Sequence, residues 1–185
     1  SLRDIYSKFL PEIISLSNKF GQSKIIYDSL VKLKERNNFD QIKNRILEKE
    51  ILEMQHRGIS LLKNDQEEFN NISEKLGKLS TDFSNNVLDA TNNWILILNK
   101  KSEVDGLPER VLEMMAISAH NHLKKEGEVD IKNGPWKLSL DIPTYTSFMT
   151  YATDRNLREK LYKAFVGRAS QGEKNNSQII EEILS

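Results

Sequence analysis

The sequence predicts a mainly α-helical, bundle-like fold that carries a small antiparallel β-sheet of two or three short strands. Apolar side chains recur three or four residues apart over most of the chain, which is the spacing of one helix face. Between residues 94 and 141 this spacing twice changes to alternation, which is typical of a half-buried strand. The 185 residues, 38% hydrophobic and 29% charged, suit a globular helical domain rather than a disordered segment.

The composition makes several classes of function improbable. The 27 Lys and Arg residues balance the 27 Asp and Glu residues, so no excess of positive charge favours nucleic acid. The chain has no cysteine, which excludes disulfides, thiolate metal sites and a cysteine nucleophile within it. Its longest apolar string, residues 94–99, is far too short to span a bilayer. We expect a cytoplasmic protein with no nucleic-acid or membrane partner.

Helices are predicted over about residues 3–93. The first carries a stripe of apolar residues over residues 3–20: Ile5, Phe9, Ile13, Leu16 and Phe20. Pro11 either kinks this helix or opens a second one, and Gly21 is typical of a helix end. Two further helices are predicted at 22–36 and 39–56, the latter terminated by Gly58.

The clearest helical pattern follows, with a capping box of Asn64 and Glu67 at its start. Its length is predicted as about two dozen residues, and its apolar positions are Phe69, Ile72, Leu76, Leu79, Phe83 and Val87. Asn, Asp, Ser and Thr are then dense from Ser84 to Asn93, and such side chains compete with helical backbone bonds. This stretch therefore predicts a helix-to-strand joint.

A small sheet and one helix are predicted over about residues 94–141. Residues 94–99 form the first strand, and Pro108 opens a helix that ends before Gly127. Apolar residues alternate with other residues on both sides of Asn133 and Gly134, which predicts a hairpin, or at least a second strand.

Helices are predicted again over about residues 143–185. Pro143 begins the first of them. Asp154 is placed to cap a helix over 155–168, in which Glu159 and Lys163 form an i,i+4 ion pair. A short amphipathic segment contains Ile179, Ile180, Ile183 and Leu184.

Few residues suggest chemistry. His120 and His122 are two positions apart, so on a helix they point away from each other and indicate a solvated helix end rather than a metal site. His56 and Glu53 have a possible ligand spacing, but Lys49 on a similar face argues against a cation there. An exposed charged face is the favoured interpretation.

Two further sets of residues have both a functional and a structural interpretation. Asp141 and Asp154 could be paired carboxylates, but their contexts indicate a strand end and a helix cap. A group of aromatic residues could line a peptide groove, although packing on the sheet and in the core is favoured; they are Trp94, Trp136, Tyr145, Phe148 and Tyr151.

A series of short motifs gives the chain a family resemblance. In order they are Arg57-Gly58-Ile59, Ser84 to Thr91, Leu140-Asp141-Ile142-Pro143, Met149-Thr150-Tyr151, Arg168-Ala169-Ser170, Asn176-Ser177 and Ile183-Leu184. Together they resemble the oligopeptidase A and thimet oligopeptidase family of zinc metallopeptidases, and most closely its oligopeptidase A branch. Each motif is weak alone, but their order covers nearly the whole chain.

The resemblance implies an enzyme that hydrolyses short peptides in a channel between two mostly helical lobes. Zinc is held there by HExxH and a further Glu, and this sequence contains no HExxH. The resemblance therefore assigns no catalytic and no metal residue to residues 1–185, and the substrate-binding residues stay unknown.

Both ends of the sequence have the pattern of an interrupted helix. We expect residues 1–185 to be a single non-catalytic fragment of a longer peptidase, with zinc and the catalytic part elsewhere in that protein. Its partners would then be short peptides and the catalytic part itself. The alternative is a stand-alone, non-catalytic helical interaction module.

Overall fold

The computed structural model describes residues 2–36 and 39–185, and it confirms the predicted fold class. In this part of the chain, α-helices predominate and a two-stranded antiparallel sheet is present. The chain divides into two compact units, the first ending at Asp82 and the second running from Phe83 to Ser185. That these residues form one fragment of a longer protein stays a prediction.

The first unit is helical. It contains α1 (Leu2–Gly21), α2 (Lys24–Glu35), α3 (Gln41–His56) and the first part of α4 (Lys63–Asn93). Pro11 lies inside α1, so it does not open a second helix, and α1 ends at Gly21 as predicted. The Asp40 side chain caps α3 by accepting a hydrogen bond from the backbone N–H of Lys43.

The predicted capping box at the start of α4 is wrong. The helix begins at Lys63, so Asn64 already lies in its first turn. The carbonyl of Leu62 accepts the backbone N–H of Gln66 at 2.8 Å, and the Gln66 side chain donates to the carbonyl of Gly58 at 2.9 Å. These bonds fix the helix start before the position that the box would need.

The predicted joint at Ser84–Asn93 is also wrong, because α4 continues through the whole stretch and is 31 residues long. The hydroxyl of Thr91 donates to the carbonyl of Val87 at 2.7 Å, one turn back in the same helix. A side chain bonded in this way is compatible with helical backbone. Asn86 and Asp89 instead find partners elsewhere in the second unit, so they do not compete for the backbone.

The second unit surrounds the small sheet. Strands β1 (Ile95–Leu98) and β2 (Trp136–Ser139) pair antiparallel, with Ile95 opposite Ser139 and Leu98 opposite Trp136. The helices of this unit besides the end of α4 are α5 (Glu109–His122), α6 (Ile142–Tyr151), α7 (Arg155–Val166) and α8 (Ser177–Leu184). Short 3-10 turns lie at Lys101–Val104 and Gly172–Lys174.

The predicted second strand is confirmed, but the hairpin is wrong. Residues 129–131 form no strand, and β2 pairs with β1. The Asp130 carboxylate accepts the backbone N–H groups of Lys132 and Asn133, and the carbonyl of Asp130 accepts the N–H of Gly134. This local turn occupies the carbonyl of Asp130, one of the backbone groups that a strand at 129–131 would have offered to β2.

The core of the second unit lies between the sheet and its helices. Trp136 and Leu138 from β2 pack there with Met115 of α5, Phe148 of α6 and Leu161 of α7. Each of these side chains is at most 1% exposed. The alternation of β2 thus buries one face of the strand, as the sequence predicts.

Candidate functional site

Five polar residues from distant parts of the sequence meet in the second unit, and we call them the polar cluster. They are Asn86, Asp89 and Thr91 on α4, and Arg168 and Asn176 on the segment between α7 and α8. All five lie in sequence motifs on which the family resemblance rests. The cluster is therefore the place to ask whether those motifs serve chemistry or structure.

Asn176 is the buried centre of the polar cluster, with only 3% of its surface exposed. Its side-chain oxygen accepts Asn86 Nδ2 at 2.8 Å, and its own Nδ2 donates to the carbonyl of Phe83 at 3.2 Å. Its backbone N–H donates to the carbonyl of Ala169 at 2.8 Å. One amide side chain thus ties the segment before α8 to α4 and satisfies both its donor and its acceptor.

Arg168 forms the second tie. Its Nε donates to the carbonyl of Phe165 at 2.8 Å, and its Nη1 lies 3.4 Å from the Thr91 hydroxyl oxygen. The guanidinium also stacks on the Phe165 ring, 3.6 Å from the centroid, and that ring stacks on Tyr145 at 3.8 Å. This arrangement holds a cation against an aromatic pair, which is a stabilising geometry.

An ion pair completes the polar cluster at its exposed edge. Lys174 Nζ lies 3.3 Å from the Asp89 carboxylate. The chain between the two ties turns sharply, because Ala169 has a φ of 51°, in the left-handed region. The cluster therefore uses its polar groups to fasten one irregular segment to a long helix, and it brings together no nucleophile with a base.

The Arg57-Gly58 motif has a similar role in the first unit. The Arg57 carbonyl accepts Gln22 Nε2 at 2.9 Å, and its guanidinium reaches Ser17 Oγ at 3.0 Å and Glu53 at 2.6 Å. Gly58 has a φ of 85°, which a side chain would strain. The motif thus ends α3 and links it to α1.

Asp154 is a helix cap, as predicted, whereas Asp141, which was predicted as a strand end, lies two residues after β2 and caps α6. Asp141 accepts the backbone N–H of Thr144 at 3.0 Å and the Ser139 hydroxyl at 2.6 Å. Burial opposes its charge, but these hydrogen bonds prevail and lower the pKa of the Asp141 carboxyl below its usual value. Asp154 accepts the backbone N–H groups of Asn156 and Leu157 at the start of α7.

The histidines do not form a metal site among the residues that the structure describes. His120 and His122 are in the last turn of α5, and His56 is exposed at the end of α3. Glu53, the possible partner of His56, pairs with Arg57 instead. In residues 2–36 and 39–185, no group of three His, Cys, Asp or Glu side chains is placed to hold a metal ion.

The aromatic residues are mostly structural. Trp136 and Phe148 are buried in the core, while Trp94 and Tyr145 pack against it in partly buried positions. Trp136 Nε1 donates to the carbonyl of Ile131 at 3.2 Å. Tyr151 differs, because 49% of its surface is exposed. The five residues therefore do not line one groove.

The polar cluster itself was not predicted from sequence. Arg168 and Asn176 were recognised only as members of motifs, and their partners on α4 are 77 and 90 residues away. The sequence predicted a joint at residues that belong to α4. The motifs of Arg168 and Asn176 therefore could not be assigned to contact one helix. The only available signal was the occurrence of both motifs in the same family resemblance.

Within the described part of the chain, no helix has the length and apolar character needed to cross a membrane. The fold and the polar cluster together define a mainly helical protein whose motif residues hold elements of the second unit in place.

Comparison with known proteins identifies the family. Residues 1–67 match the family Neurolysin/Thimet oligopeptidase, N-terminal domain. The probable cytosolic oligopeptidase A of Arabidopsis thaliana is 37% identical over 186 residues, which cover 99% of this chain and 26% of that protein. Oligopeptidase A of Haemophilus influenzae is 33% identical and that of Escherichia coli is 31% identical, each over 100% of this chain and 27% of the relative.

These matches confirm the resemblance to the oligopeptidase A and thimet oligopeptidase family over the whole chain. The similarity covers both units, including the polar cluster. The chain spans about a quarter of the length of the curated relatives that it matches.

Proposed function

We propose that this chain is the non-catalytic N-terminal part of a zinc-dependent oligopeptidase that hydrolyses short peptides. In this proposal its two units contribute to the wall of a substrate channel, and the narrowness of the channel limits substrates to short peptides. The alternative of a stand-alone interaction module has no observation of its own in its favour.

The similarity of the whole chain to proteins named oligopeptidase A carries the proposal. It covers 99–100% of the 185 residues, so it does not rest on one shared motif. The polar cluster supports it further, because family motifs that are distant in sequence converge in space and stabilise one another. Such convergence is expected if these motifs stabilise a fold that is common to the family.

The residues of this chain do not fit a zinc site. Its three histidines are His56, His120 and His122, no HExxH is present, and the described residues contain no metal-holding group of side chains. Amide hydrolysis needs an activated water or nucleophile and a group that stabilises the oxyanion. We therefore assign the zinc and these groups to the remainder of the longer protein and derive no catalytic step from residues 1–185.

A cytoplasmic location is part of the proposal. One relative is named a cytosolic oligopeptidase A, whereas another from the same plant is named an organellar, chloroplastic and mitochondrial one. The lack of a spanning helix in the described residues is compatible with both locations.

The proposal is tested by comparing this chain with the natural longer protein. A quenched fluorescent peptide shorter than about 20 residues is incubated with each, because a channel formed by pre-built walls admits only short chains. We expect turnover by the longer protein, loss of turnover with a chelator and recovery with added zinc. This chain alone is expected to be inactive. An inactive, zinc-loaded longer protein would contradict the proposed enzyme, and chelator-sensitive turnover by this chain would contradict the proposed division of roles.

A further inference from the structure

Helix α1 exposes an apolar stripe along its entire length, and we call it the α1 stripe. Each of its side chains is between 46% and 85% exposed. The stripe consists of Leu2, Ile5, Tyr6, Phe9, Ile13, Leu16 and Phe20. At 3.6 residues per turn, these seven positions fall within about 100° of the helix circumference, so they form one continuous face.

The contacts of α1 within the first unit use a different face. Ile14 packs so closely against α4 that a Cβ on Gly77 would overlap its Cδ1. Ser17 accepts a hydrogen bond from the Arg57 guanidinium, and Gly21 lies against the Arg57 side chain. These positions are on the side of the helix away from the centre of the α1 stripe. The helix is thus fastened to its unit while its most apolar face stays exposed.

We infer that the α1 stripe is the surface on which the remainder of the longer polypeptide docks. This inference rests on the proposed function and names the contact that it requires. About three-quarters of each relative lies outside the region that this chain matches. A helix with so regular an apolar stripe normally buries it against another element, and an exposed apolar patch of this kind marks an interface.

A covalently connected partner is favoured over a second copy of this chain, because the connection keeps its effective concentration high.

The charges of α1 argue against a membrane surface. Helices that bind membranes at the interface carry an excess of Lys and Arg on their polar face. In α1 the cations Arg3, Lys8 and Lys19 are nearly balanced by Asp4 and Glu12. Apolar protein surface is therefore the partner that fits the stripe.

The test measures the solvent access of single positions on α1. The chain has no cysteine, so Phe9→Cys and Ile13→Cys each place one thiol on the α1 stripe. Lys8→Cys is the matched control, because Lys8 is an exposed residue of the same helix outside the stripe. Each variant is made in this chain and in the natural longer protein. Alkylation by iodoacetamide is followed by mass spectrometry of the α1 peptide, and circular dichroism checks that the helix content is kept.

In this chain we expect the three thiols to react at rates within about threefold of one another. In the longer protein we expect the two stripe thiols to react at least about tenfold more slowly than the Lys8→Cys thiol, since a buried position reacts only when it opens. Equal rates in the longer protein would overturn the inference. Protection in this chain that grows with its concentration would also overturn it, in favour of a second copy.

Peptide cleavage by the same unlabelled samples separates the two proposals. A longer protein that protects the stripe but cleaves no peptide would contradict the proposed enzyme and leave the docking surface supported. An active protein with unprotected stripe thiols would contradict the docking surface alone.

Discussion

Single backbone positions hold the irregular segments of the second unit in place, and Gly106 is the clearest of them. Its φ is 85°, and a Cβ at this position would lie 2.3 Å from the carbonyl oxygen of Tyr151. Beside it, the backbone N–H of Thr153 donates to the carbonyl of Asp105 at 3.0 Å. The loop before α5 therefore packs on the end of α6 by direct backbone contact, which a side chain would prevent.

Gly106→Ala should destabilise the chain by about 3 kcal/mol or more, because it adds a backbone clash to left-handed strain. Gly127→Ala is the matched control, since Gly127 has a φ of 92° but no atom within 4 Å of the added Cβ. It should lose only the strain, about 1–2 kcal/mol. Denaturant unfolding gives both values. Equal losses of unfolding free energy in the two variants would show that the contact with Tyr151 does not contribute to stability.

Asn176 should be the most sensitive residue of the polar cluster. Asn176→Ala leaves Asn86 Nδ2 without its bond and removes one of the bonds to the carbonyl of Phe83, and an unsatisfied buried group costs about 1–3 kcal/mol. The control is Asn92→Ala, at an exposed position of α4. It should change the free energy of unfolding by less than about 0.5 kcal/mol. If urea unfolding gives equal losses for the two variants, the buried amide does not fasten α8 to α4.

Asp141 gives stability that depends on pH. Its folded pKa is lowered, so the charged form is favoured by folding. Its contribution is fully present above the unfolded pKa of about 3.9 and is lost as the pH falls through the lower folded value. Asp141→Asn keeps an N-capping side chain but removes the charge. The difference in unfolding free energy between the two proteins should therefore shrink on acidification from pH 7 to pH 3, and a constant difference would refute this role.

At the scale of elements, the sheet depends on Trp136. The ring is 1% exposed and lies in the core between β2 and the helices, so Trp136→Ala should cost about 3–5 kcal/mol. Trp94 lies at the start of β1 in a partly buried position, and Trp94→Ala should cost less, on the order of 1–3 kcal/mol. Denaturant unfolding of both variants tests the order. Losses below about 1 kcal/mol for both would indicate exposed rings and revive the peptide-groove interpretation.

The elements that sequence predicted best are those whose signals are local. The helix cap at Asp154, the helix after Pro108, and the Glu159–Lys163 ion pair at 2.5 Å are all confirmed. Each depends on residues at most a few positions apart, so tertiary contacts did not alter it.

Predictions failed where a distant partner decided the outcome. The polar run at the end of α4 was interpreted as a joint, because the bond between Asn86 and Asn176 cannot be inferred from spacing. The hairpin failed because the turn centred on Asp130 competes with it and because β2 pairs with a strand some 40 residues earlier. Five of the seven residues of the α1 stripe were predicted as a helical pattern, but a pattern alone does not say whether its face is buried in the same chain.

On the scale of the whole molecule, we propose that these residues provide stability and that the remainder of the longer protein provides the chemistry. The motifs on which the family resemblance rests contribute caps, turns and ties between elements. The resemblance could be recognised from sequence because the motifs keep their order, whereas their joint structural role required coordinates. Among residues 2–36 and 39–185, no group of three or more His, Cys, Asp or Glu side chains is placed to hold a metal ion.

Zinc content tests the central claim most directly. Samples of this chain and of the natural longer protein are dialysed against zinc and then against zinc-free buffer, and the metal retained per chain is measured. We predict no stoichiometric zinc in this chain, because it has no cysteine and no His pair at helical metal spacing, and one retained zinc in the longer protein. One tightly held zinc per 185-residue chain would contradict the account, since it would place a metal site within residues that we assign to structure.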